Sequence, residues 1–204
     1  LIIDIERSLG ILIEPSLQGW LLVTSPFLLT ICNWLYIITY WPVIFGISLV
    51  LYLRDRKSYY YCRNIILINL CMALIFFVLI PVAPPFRSLP NMMDSIQILG
   101  PTFYGGPEMS FIYNTTAALP SLHFSWTLIF GIFFFQRVKG FFRGVTVIYP
   151  VLTLYIILVT GNHFLLDATL GSGLVAASFY VEIYLRSFKN RLKQTAPNRE
   201  SHDW

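Results

Sequence analysis

Five stretches of the chain, residues 33–53, 64–81, 119–136, 144–160 and 163–185, are nearly unbroken runs of apolar side chains. Each is long enough for one helix to cross the ~30 Å hydrocarbon layer of a bilayer. Residues 1–31 read differently. Ile2, Ile3, Ile5, Leu9, Ile11 and Leu12 recur at helical spacing among Asp4, Glu6 and Arg7, and Pro15 and Pro26 interrupt the pattern. That mixture predicts an amphipathic helix lying in the membrane interface, with 16–31 either re-entrant or a short sixth span. Residues 82–118 are rich in proline and glycine around one short apolar stretch at 96–99, which predicts an ordered loop over one end of the helices. The expected fold is all-α: a polytopic transmembrane helix bundle of five or six spans with an N-terminal interfacial helix. It forms one integral domain, with interfacial or re-entrant helices over 1–31, a catalytic bundle over 32–185 and a basic tail over 186–204.

Composition agrees. Of 204 residues 56% are hydrophobic and only 12% charged, with a mean hydropathy of +0.68, whereas a soluble domain carries about 25% charged residues. The net charge of +4 is organised as topology and does not form a nucleic-acid surface. Basic residues fall in three clusters, Arg54-Arg56-Lys57-Arg63, Arg137-Lys139-Arg143 and Arg186-Lys189-Arg191-Lys193-Arg199, after the first, third and fifth apolar runs. By the positive-inside rule these ends, and the C-terminus, are cytoplasmic. The loop 82–118 and the tight Gly161-Asn162 turn then lie on the other face, where Arg87 is the sole basic residue between 64 and 136. Asp4 and Glu6 stand where a signal peptide would be basic, so no cleavable leader is expected. Cys32, Cys62 and Cys71 are widely spaced in or beside apolar runs and read as packing residues.

Two polar motifs break the oil on that non-cytoplasmic side. In Pro120-Ser121-Leu122-His123, Pro120 suits the first helical position. The following turn then offers free backbone N–H groups, a hydroxyl and an imidazole to an anion. In His163-Phe164-Leu165-Leu166-Asp167, the histidine and aspartate lie four apart on one helix face, with Gly161 ending the previous helix and Asn162 capping the next. A carboxylate bonded to one imidazole nitrogen leaves the other basic and aimed, as a supported nucleophile requires. The competing reading is a structural His–Asp bond between helix ends. Arg87, held beside Pro84-Pro85, presents a planar fork suited to phosphate, or alternatively snorkels to the headgroups. Tyr113, Asn114 and Asn162 are candidate headgroup contacts.

In these residues the chain resembles the type 2 phosphatidic acid phosphatase superfamily, and most of all its inositol phosphorylceramide synthase-like branch. The three motifs stand here as Pro81-Val82-Ala83-Pro84-Pro85-Phe86-Arg87, Pro120 to His123, and Gly161-Asn162-His163 through Asp167, and the resemblance covers about residues 30–185. It implies that His163 attacks phosphorus to form a phosphohistidine, oriented by Asp167. His123 would protonate the leaving group, while Arg87, Ser121 and the Leu122 amide hold the phosphoryl oxygens. It implies no cofactor and no metal, and two histidines with one aspartate make a poor hard-cation site. The implied partners are a lipid substrate and the membrane.

The chain departs from the superfamily pattern where two basic residues are expected, at Ile80 and Ile157, and Ser88 replaces a proline. So few cations favour a phosphodiester, with one negative charge, over a phosphomonoester dianion. The expected activity is therefore phosphotransfer, moving a phospho-headgroup between lipids. The alternatives are a lipid phosphate or pyrophosphate phosphatase, and a transporter or non-enzymatic bundle using the histidines as a proton site.

Overall fold

In a computed structural model, which describes residues 1–101 and 118–195, all regular structure is helical. The order is α1 (Ile2–Ser8), α2 (Glu14–Thr24), α3 (Pro26–Ile38), α4 (Trp41–Arg54), α5 (Arg56–Leu79), α6 (Pro85–Ser88), α7 (Ser95–Leu99), α8 (Leu122–Phe135), α9 (Phe141–Val159) and α10 (Leu165–Thr195). Four helical stretches are long and apolar enough to span a membrane, Pro26–Arg54, Arg56–Leu79, Phe141–Val159 and Leu165–Leu192, and Leu122–Phe135 is a shorter apolar fifth. The all-α bundle is as expected, with differences at its ends.

The first span starts at Pro26, earlier than the expected residue 33, and is broken at Thr39-Tyr40, where Pro42 at the start of α4 cannot donate into the preceding turn. The last helix runs ten residues past the expected end of its span, so the proximal part of the basic tail is helical. Residues 196–204 lie outside the described residues.

The 14-residue α8 is about 21 Å long, less than a bilayer core. It can be short because it is central. Ile129, Phe130 and Phe133 are buried against α4, α5 and α10, so lipid meets little of it. Since lipid tails are as apolar as leucine, the helices are held by close packing and interhelical hydrogen bonds. A polar seam joins α5 to α10. Asn69 Nδ2 donates to Ser178 Oγ at 3.4 Å and Asn64 Nδ2 to Glu182 Oε1 at 3.3 Å, while Arg186 Nε lies 2.6 Å from the same carboxylate. Such bonds contribute about 0.6 kcal/mol each.

The N-terminal helices bury polar side chains and expose apolar ones, although Asp4 and Arg7 stay exposed and Leu21 is buried. Leu1, Ile5, Leu9, Ile13, Trp20 and Val23 face outward, whereas Glu6, Glu14 and Gln18 are buried. Gln18 exchanges two hydrogen bonds with the backbone of Met93, at 3.0 and 3.1 Å, and Asn33 of α3 donates to the Ser95 carbonyl at 2.7 Å and accepts from the Ser95 hydroxyl at 2.8 Å. The segment 82–101 is thereby fastened over one end of the bundle by α2 and α3.

Candidate active site

The three motifs meet through backbone hydrogen bonds. Ser121 N–H donates to the Asp167 carbonyl at 3.0 Å, Phe86 N–H to the Gly161 carbonyl at 3.1 Å, and Ala118 N–H to the Val82 carbonyl at 3.1 Å. Main chain is a rigid link, because none of these bonds depends on a rotamer. A further link is steric. A Cβ on Gly171 would lie 2.7 Å from Ser125 Oγ and 3.0 Å from the Ser121 carbonyl, so glycine lets α10 pass against the start of α8.

His163 sits in the α9–α10 turn. Gly161, at φ +75°, turns the chain out of α9, and the Asn162 and His163 amides bond back to the Ile157 carbonyl. Asn162 is buried with its amide on Thr160 Oγ1 at 2.8 Å, so it does not cap α10 as expected. The cap is reciprocal to Asp167 instead. Asp167 is the third residue of α10, and its Oδ2 accepts the Phe164 N–H at 2.8 Å, half of a capping box.

That bond changes the histidine's setting. Nδ1 of His163 lies 3.0 Å from the Ala118 carbonyl and 3.4 Å from Asp167 Oδ2. The shorter contact is to Ala118, which no sequence signal singles out, since any residue offers that carbonyl. Both neighbours are acceptors, so in the neutral ring Nδ1 carries the proton and Nε2 the lone pair.

His123 lies in the first turn of α8, its ring stacked between Tyr36 at 4.2 Å and Tyr40 at 3.9 Å, both nearly parallel to it. The two tyrosines flank the α3–α4 break, so the irregularity in the first span is what clasps this ring. Its Nε2 is buried with no hydrogen-bond partner among the described residues, and the two imidazoles are close enough to interact electrostatically. Ser121 is the N-cap of α8, so Pro120 lies outside the helix. Ser121 Oγ accepts the Phe124 N–H at 3.2 Å, which among the described residues leaves the Leu122 and His123 amides in the open first turn and the Ser121 hydroxyl proton available. Arg87 is exposed on α6, one residue beyond the Phe86–Gly161 bond, and takes part in no ion pair among the described residues. Tyr113 and Asn114 lie outside the described residues.

The start of α10 is more acidic than the motif alone indicates. Glu14 Oε1 accepts the Leu165 N–H at 2.8 Å and Glu6 Oε1 accepts the Leu166 N–H at 2.7 Å. Glu6 and Glu14 lie close enough for their charges to repel. Burial pushes the Glu6 carboxyl up from 4.5 to about 7, with the Glu14 and Asp167 charges adding to it against the Leu166 amide; burial raises Glu14 likewise. An acid whose folded pKa is raised contributes stability that is whole below pH 4.5 and is lost as pH rises through about 7. Thermal melts in detergent are expected to show that decline, and Glu6→Gln to flatten it; an unchanged slope in the variant contradicts the assignment.

A family model described as the PAP2 superfamily matches residues 1–181. No curated protein and no solved structure matches the chain. The matched region takes in the N-terminal helices, both histidine motifs and the bundle as far as residue 181 of α10. Members of this superfamily are generally phosphatases or phosphotransferases acting on phosphate esters. The chain belongs to the PAP2 superfamily.

Proposed function

We propose that the protein is a membrane-embedded phosphotransferase that moves a phospho-headgroup between lipids through a phosphohistidine on His163. The observation that carries this reading is the setting of His163, with Nδ1 between two oxygen acceptors and Nε2 left as a nucleophile beside the start of α8. Nε2 attacks the phosphorus of a lipid phosphodiester. The N–P bond forms as the P–O bond to the departing alcohol breaks, and His123 gives that oxygen its proton. The ring of the phosphohistidine carries positive charge, which Asp167 offsets. An acceptor lipid hydroxyl then loses its proton to His123 and attacks phosphorus, breaking the P–N bond and restoring His163. Arg87, the Ser121 hydroxyl and the Leu122 amide hold the non-bridging oxygens.

Charge supports a diester. Asp167, Glu6 and Glu14 gather behind the nucleophile, and Arg87 is the one cation the motifs supply. A phosphomonoester dianion meets more repulsion there than a monoanionic diester. The inositol phosphorylceramide synthase-like motifs point to the same chemistry. The basic clusters at the opposite helix ends support an active site on the non-cytoplasmic face with a cytoplasmic C-terminus.

The test is to offer the purified protein in mixed micelles a phosphorus-labelled lipid phosphodiester and a labelled lipid phosphomonoester. Acid-labile, base-stable label on the protein is expected from the diester, with kcat/KM at least about tenfold above that for the monoester (about 1.4 kcal/mol of discrimination). Equal or faster turnover of the monoester makes the protein a lipid phosphatase. Absence of protein-bound label with every substrate removes the covalent mechanism.

A further inference from the structure

We infer that Glu6 and Glu14 are positioning residues for His163: from α1 and α2 they clamp the first turn of α10 by its backbone amides and so fix the imidazole beside it. The inference rests on the phosphotransfer reading for its importance, though not for its geometry.

A helix start leaves its first amides without partners inside the helix. In α10 three successive amides are each taken by a carboxylate from a different element: Phe164 by Asp167 of α10 itself, Leu165 by Glu14 of α2 and Leu166 by Glu6 of α1. All three carboxylates are fully buried, and Oε2 of each glutamate has no N–H or hydroxyl partner among the described residues. Burying two extra acids so close together is costly. Serine or asparagine caps satisfy such amides without that cost when only helix stability is needed. What long-range carboxylates add is a fixed direction. They tie a turn two residues from His163 to two helices more than 150 positions away in sequence.

The clamp also assigns the anion site. With the α10 amides occupied, the open amides in this region among the described residues are those of Leu122 and His123 in α8, so phosphate is held by one helix and attacked from the other.

Two substitutions separate reach from charge. Glutamine keeps the acceptor at the same distance and removes the charge. Aspartate keeps the charge but withdraws the oxygen by roughly one carbon–carbon bond, about 1.5 Å. Glu14→Gln and Glu6→Gln are expected to retain phosphoenzyme formation within about threefold. Glu14→Asp and Glu6→Asp are expected to lower kcat by about tenfold or more at unchanged KM. The independent readout is nitrogen NMR of ¹⁵N-histidine-labelled protein, with the His163 signals assigned by their loss in His163→Ala. Wild type and the glutamine variants should show His163 as one Nδ1–H tautomer, and the aspartate variants a mixture. A single tautomer in all four variants overturns the inference whatever the activity. If tautomers shift as expected but no substrate labels the wild type, the clamp stands and the phosphotransfer reading falls.

Discussion

Replacing His163 by alanine is expected to lower phosphotransfer by about 10⁴-fold or more while the protein still folds. Loss of a covalent nucleophile leaves only binding and polarisation to act on the phosphorus. The structural loss is small by comparison. The ring's one close hydrogen bond is to the Ala118 carbonyl, worth about 1 kcal/mol. The first turn of α10 keeps its amide partners Asp167, Glu14 and Glu6. His123→Ala makes the useful contrast. It removes the ring between Tyr36 and Tyr40 and should slow both the arrival of phosphorus on His163 and its departure, yet leave a slowly formed, long-lived phosphoenzyme. Acid-quench labelling of both variants against a size-exclusion measure of folded protein checks the pair. Label on His163→Ala equal to wild type contradicts the assignment.

Gly171→Ala is expected to cost about 1–3 kcal/mol of stability and about 10²-fold in activity, although the residue bears no chemistry. The added methyl lies 2.7 Å from Ser125 Oγ and 3.0 Å from the Ser121 carbonyl. Ser125 Oγ can swing away, though it gives up its 2.7 Å bond to that same carbonyl. The backbone oxygen cannot move without shifting the α8 start, which carries His123 and the Leu122 amide. A displacement near 1 Å between nucleophile and phosphate is enough for a loss of that size. Gly173→Ala, on a neighbouring position with nothing within 4 Å of its added carbon, is the control and should behave as wild type. Equal activity of Gly171→Ala and wild type would falsify the role given to this contact.

What the sequence disclosed and what it hid follow one physical line. Apolar runs revealed the spans because a bilayer demands length and hydrophobicity, and the two histidine motifs stood out because polar side chains are expensive there. The break at Thr39-Tyr40 was marked by Pro42, but the surrounding run was apolar enough to read as one helix. At the α8 start, Pro120 and Ser121 each carry a helix-start signal one position apart, and the serine side chain decided between them by capping Phe124. The clamp on α10 was hidden for a different reason. Its acceptors, Glu6 and Glu14, fit an interfacial helix with its polar side to water, and its donors are main-chain amides with no side-chain signature. In the fold Glu6 and Glu14 turn to the bundle, while Asp4 and Arg7 beside them stay outside.

The face of α10 that carries Asp167 also carries Gly171, Ser178 and Glu182, all buried. At 100° per residue these four positions fall within about 60° of one another, along some 22 Å of helix. One stripe therefore holds the carboxylate beside the nucleophile, the close approach to α8 and the polar seam to α5. Such a stripe behaves like a keyed shaft: its bits can be recut one at a time, but its length cannot change. Deleting one residue between Asp167 and Ser178 would turn everything beyond it by 100°, so that the catalytic end and the anchoring end of the rod could no longer face their partners together.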